Sequence, residues 1–104
     1  MIKKLFVLTV TCLLIPISGC VTISPPLEDY TLARTAIESA KAVDAARYSS
    51  GFMHKAELSY KKAQQHYEDR EFAEAIAEFR RAKDSAEKAE NSARYIRFKN
   101  GEVL

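Results

Sequence analysis

Between Asp29 and Lys99 the sequence holds no proline and one glycine, Gly51. Such a stretch has few of the residues that punctuate turns, and this argues against an all-β chain of short strands. Tryptophan is absent, and cysteine and histidine each occur only twice. No glycine-rich loop is present to cradle a phosphate, and no serine or cysteine sits in a nucleophile-elbow pattern. His54 and His66 are twelve positions apart on one predicted helix, about 18 Å along its axis, too far to share a metal ion. The acidic residues Glu68, Asp69 and Glu71 are split by Arg70 and lack the aspartate-glycine pattern of a calcium loop. They read as a solvated turn. The residues therefore speak against catalysis, and no cofactor or metal is expected.

What the chain does have starts at its N-terminus. Lys3 and Lys4 precede an apolar run from Leu5 to Ile17, and Ser18, Gly19 and Cys20 follow. A basic start, a short apolar middle and small residues before a cut make a secretory signal peptide. The run is shorter than the ~20 residues of a membrane span, and Pro16 interrupts it. Ile17-Ser18-Gly19-Cys20 resembles the lipobox of bacterial lipoproteins, in which the cysteine thiol takes the lipid and becomes the mature N-terminus. Residues 1–19 are then a signal peptide. Cys12 leaves with it and Cys20 is acylated, so neither free thiol nor disulfide remains. Lys3 and Lys4 leave as well, which balances the 16 basic residues of the precursor against its 14 acidic ones. Nucleic-acid binding loses its compositional support. By resemblance to lipoprotein sorting rules, Val21 in place of an aspartate after the cysteine points to the outer membrane, with the domain on its periplasmic face.

Residues 20–28 read as a lipidated cysteine and a tether, kept extended by Pro25-Pro26. Residues 29–104 read as an all-α domain with helices at about 29–48, 52–68 and 71–99. In the last helix Phe72, Ala75, Phe79, Ala82, Ala86, Ala89, Ala93 and Ile96 recur in steps of three and four, one apolar stripe. Met53, Ala56, Tyr60, Ala63 and Tyr67 form the matching seam. The polar turn 68–71 between them predicts an antiparallel helical hairpin. Ala33, Ala36, Ala40 and Val43, with Ile37 alongside, mark a weaker first helix. It either folds onto the hairpin, giving a small three-helix bundle, or continues through Ser49-Ser50-Gly51 into the second helix with a kink. Asp84–Lys88 and Glu90–Arg94 have the spacing of surface ion pairs, and Asn100-Gly101 supplies a helix stop.

The stretch YEDREFAEAIAEFRRA resembles the inter-helix turn and second helix of a tetratricopeptide repeat over about residues 56–85. There is no second copy, and an array needs about three units. Lipobox, Pro-Pro tether, alanine-rich helix and the EFAEAIAEFRRA motif together resemble a family of small Gram-negative lipoproteins of unknown function. That resemblance implies a tetratricopeptide-like three-helix domain in the cell envelope and carries no catalytic residues.

Two surface features are candidate sites. Arg80, Arg81 and Lys83 form the densest basic cluster, read as a solvated face or a contact with anionic lipid. Tyr95 and Phe98 fall off the apolar stripe and are expected to pack against the first helix near Tyr30 or Tyr48. Failing that, they form an exposed partner patch with Arg94, Arg97 and Lys99. The role this implies is a membrane-anchored, non-catalytic interaction or scaffold module that binds an envelope protein or itself. The alternative is a structural envelope lipoprotein, self-associating or bound non-covalently to peptidoglycan. The absence of a terminal lysine disfavours a covalent cell-wall tether.

Overall fold

The computed structural model describes residues 2–4, 19 and 23–102, and the N-terminal apolar run, with Ile17, Ser18 and Cys20, lies outside them. Helix α1 spans Leu27–Ala42, α2 is the single turn Ala45–Tyr48, α3 spans Ser50–Glu68 and α4 spans Phe72–Lys99. The described residues are all-helical, without a strand. None of these helices is long and apolar enough to cross a membrane.

The helix that matters most is α4. Its 28 residues make a rod of about 42 Å, and both α3 and α1 pack along it while touching each other sparingly. The stripe read from the sequence is the reason. Ala75, Phe79, Ala82, Ala86, Ala89 and Ala93 are all fully buried. On α3 the seam residues Met53, Ala56 and Ala63 are buried, and on α1 so are Ala33, Ala36, Ile37 and Ala40. Alanine contacts let helix axes approach toward the near end of the usual range of about 8–10 Å.

Contacts across the bundle give the helix directions. Near the start of α1, Tyr30 packs on Tyr60 and on Phe79, with ring centroids 6.1 and 5.6 Å apart. Asp29 in the same turn pairs with Arg80 Nε at 3.0 Å. Beyond the far end of α1, the Val43 carbonyl accepts a hydrogen bond from Arg97 Nη1 at 3.1 Å. Thus α1 runs alongside α4 in the same direction and opposite to α3. It lies on the hairpin and is not a kinked extension of α3.

The helix boundaries differ from the sequence reading in two places. α1 begins at Leu27 because Pro26, which has no N–H to lose, serves as its N-cap. It ends at Ala42 because Asp44 adopts the left-handed conformation, φ 61°, which the short aspartate side chain tolerates better than most. The break lies at 43–49 rather than at 49–51, and Gly51 is inside the first turn of α3.

The other two helix ends close with the same motif. After α4, Gly101 at φ 73° donates to the Phe98 carbonyl and Glu102 donates to that of Arg97, a Schellman closure. After α3, Arg70 N–H donates to Tyr67 and Glu71 N–H to His66 in the same pattern, with Arg70 at φ 59°. A non-glycine residue pays a steric penalty there that glycine avoids.

Two outcomes follow. Arg70→Gly should raise stability by about 0.5–1 kcal/mol, the left-handed penalty less the added freedom of the unfolded chain, read as a higher midpoint in thermal circular dichroism. Phe79→Ala should cost about 3–5 kcal/mol, enough to leave so small a domain largely unfolded.

Candidate functional site

Tyr95 and Phe98 do not pack against α1. They are 63% and 77% exposed, on the side of α4 turned away from the alanine stripe. The Lys99 ammonium lies 5.5 Å from the Tyr95 ring centroid. Arg94 is held back along the helix by Glu90, with Nη2 2.8 Å from Oε1. The other spaced pair, Asp84 and Lys88, does not close; Lys83 reaches Glu87 instead, at 3.6 Å. Two large exposed aromatics three residues apart, beside an ammonium, make a compact patch at the last turns of α4.

Arg97 has a different place from the one expected of a patch residue. It turns inward, with a 20% exposed side chain. Its Nη1 donates to the Val43 carbonyl and its Nε to Glu102 Oε2, both at 3.1 Å. Glu102 also accepts from the Tyr48 hydroxyl, 2.7 Å to Oε1. The Arg97 and Arg47 guanidinium carbons lie 5.7 and 5.3 Å from the Tyr48 ring centroid. This clasp fastens the corner at 43–49 to the end of α4. From the sequence Arg97 had been singled out as a patch residue, and Tyr48 as a packing neighbour of Tyr95 and Phe98 rather than of Glu102. Tyr48 and Glu102 meet across 54 positions, and nothing periodic announces such a contact.

The clasp shifts both of its titrating groups. The Tyr48 hydrogen bond, followed by that of Arg97, holds the Glu102 carboxyl below its ordinary value. The same hydrogen bond from Glu102 pushes the Tyr48 phenol up.

At the other end of α1 the Tyr30–Tyr60–Phe79 cluster closes the bundle. Burial, reinforced by the neighbouring Tyr30 hydroxyl, pushes Tyr60 up to about 12. Because α1 and α3 meet so sparingly, a groove of about 400 Å³ remains between them, lined by Tyr30, Arg34, Ile37, Glu38, Lys41, Glu57 and Tyr60. Its cations and carboxylates alternate.

The remaining sequence candidates are dispersed. His54 is exposed, and His66 faces Glu71 across the turn, Nδ1 to Oε1 3.6 Å. Arg80 is engaged with Asp29, and Arg81 with Glu78. No group of three His, Cys, Asp or Glu side chains among the described residues is arranged to hold a metal ion. Gly19 is exposed with nothing within 4 Å of an added Cβ, whereas Ile17, Ser18 and Cys20, the other residues of the expected lipobox, lie outside the described residues.

No protein-family model matches the sequence, and no curated protein or solved structure matches it.

The clasp has a definite pH signature. Glu102 has a lowered pKa in the folded state, so its contribution is complete above the ordinary carboxylate range and is lost as pH falls through the depressed value. Tyr48 has a raised one, so its contribution is complete below the ordinary phenol value and is lost as pH rises through the elevated one. Thermal midpoints measured across pH should fall at both extremes. Glu102→Gln should lower the neutral-pH midpoint and flatten the acid limb, whereas Tyr48→Phe should flatten the alkaline limb.

Proposed function

We propose that the chain is the precursor of an outer-membrane lipoprotein whose helical domain is a non-catalytic interaction module. In this reading the Cys20 thiol takes a diacylglyceryl group as a thioether. The Gly19–Cys20 peptide bond is then hydrolysed, and Cys20 becomes the first residue of a periplasm-facing domain. The Ile17-Ser18-Gly19-Cys20 sequence after a short basic and apolar leader supports the anchor. The exposed Tyr95–Phe98 pair supports the interaction. It lies at the opposite end of α4 from the tether, so a partner reaches it without competing with the lipid for space.

The finer architecture belongs to the same proposal. α3, the 68–71 turn and the first half of α4 form a tetratricopeptide-like hairpin, and α1 completes a small three-helix unit. The resemblance to small Gram-negative lipoproteins is in keeping with this. The partner is an envelope protein. The Lys99 ammonium beside the Tyr95 ring disfavours self-association of the patch, because like charges would meet across a two-fold axis.

Two measurements test the reading. Cys20→Ala should abolish both palmitate labelling and recovery in the membrane fraction, and retention of both would refute the anchor. In-cell crosslinking with mass spectrometry should trap a defined envelope partner. Tyr95→Ala/Phe98→Ala should lose that crosslink while keeping the thermal midpoint within about 1 kcal/mol of wild-type stability, as surface substitutions do. A double variant with unchanged crosslinks would sink the assignment of the patch.

A further inference from the structure

An open cleft lies beside the N-terminal tether. It measures about 520 Å³ and is lined by Ile23, Ser24, Pro25, Tyr67, Phe72 and the turn residues Glu68 and Arg70. Two features shape it. The tether is folded back over the hairpin end, with Pro26 buried and the Pro25 carbonyl accepting from the Leu27 N–H at 2.9 Å. Tyr67 and Phe72 meet edge to face, ring centroids 5.7 Å apart, and wall the opposite side. Both aromatics are only half-buried, and Ile23 is 48% exposed. An apolar cleft therefore stands open at the point where the chain arrives from Cys20.

We propose that this cleft shelters one acyl chain of the lipid carried on Cys20. The inference rests on the lipoprotein reading and names what the bundle does with its own anchor. Continuity of the chain is the first argument. Ile23 is three positions after Cys20, a span of at most ~10 Å, so a linked chain is present at the high effective concentration of an intramolecular ligand. Charge is the second. Of the turn residues 68–71, Glu68 and Arg70 line the cleft, one charge of each sign. A chain held in the ester linkage of the diacylglyceryl group brings no charge, and so leaves this balanced pair as it is, whereas a free fatty acid or an anionic headgroup would add an unmatched one. Ile23, Pro25, Tyr67 and Phe72 give the cleft an apolar wall that matches a methylene chain.

Sheltering has a consequence for anchoring. A single inserted chain holds a protein to a membrane only marginally, and stable attachment takes two or more. Withdrawing one of the two diacylglyceryl chains into the cleft leaves a single inserted chain, a weakly held state reached without cutting the lipid.

The test uses the full-length lipoprotein from cells fed a palmitate analogue with a diazirine at its methyl end. The protein is placed at one copy per phospholipid nanodisc, photolysed and digested with trypsin. Adducts are expected on the peptides 63–70 and 71–80, which carry Tyr67 and Phe72. Phe72→Asp should reduce them about tenfold, the scale of placing a charge in an apolar site, and Phe72→Leu should preserve them. Ile23→Asp acts from outside the helices, so its loss of adduct cannot come from unfolding. Adducts confined to phospholipid, or to other peptides of the chain, would overturn the proposal. A chain that carries no label would refute the lipoprotein reading itself, a result distinct from a labelled chain whose adducts lie elsewhere.

Discussion

Close approach of backbones along α4 is the constraint on which the bundle depends. Five alanines and Phe79 occupy its buried stripe, so two helices can lie against one rod without large side chains keeping them apart. Alanine loses no rotamer freedom on burial and is the best helix former. Ordering this stripe is therefore cheap, but each alanine removes little apolar surface from water. The seam alone supplies geometry more than stability.

The ends of the seam make up part of that shortfall in different chemistry. Near the α1 N-terminus the Tyr30–Tyr60–Phe79 cluster buries aromatic area and fixes ring orientation. At the 43–49 corner the Arg97–Glu102–Tyr48 clasp uses charge-assisted hydrogen bonds. The corner contains a left-handed Asp44 and a one-turn helix, and the clasp reaches it from the far end of α4. Both ends are thus referred to one rod. Residues 23–26 and the exposed Tyr95–Phe98 pair also lie at opposite ends of it.

The parts of this arrangement that repeat along the chain could be read from the sequence, and the parts that do not repeat could not. The steps of three and four on α4 named its buried residues because helix period and burial have the same cause. The α3 seam and the narrower α1 stripe followed for the same reason. The end of α1 was misread because a single backbone conformation at Asp44 stops the helix, and aspartate is only a weak signal for it. Arg97 illustrates the limit at the site. It belongs by position to the exposed turns bearing Tyr95 and Phe98, yet its long side chain reaches back to the Val43 carbonyl. Tyr95 and Phe98 were expected to be covered because large aromatics usually are. Their position off the stripe was the sounder signal.

Amide hydrogen exchange on the native chain tests the central claim that α4 holds α1 and α3 in one cooperative unit. Amides of residues 33–41, 54–64 and 76–94 are expected to share one slow class and to lose protection together as denaturant is added. Rapid exchange of 33–41 while 54–94 stays protected would show that α1 is only loosely laid on the hairpin, and the account of α4 as a common rod would be wrong.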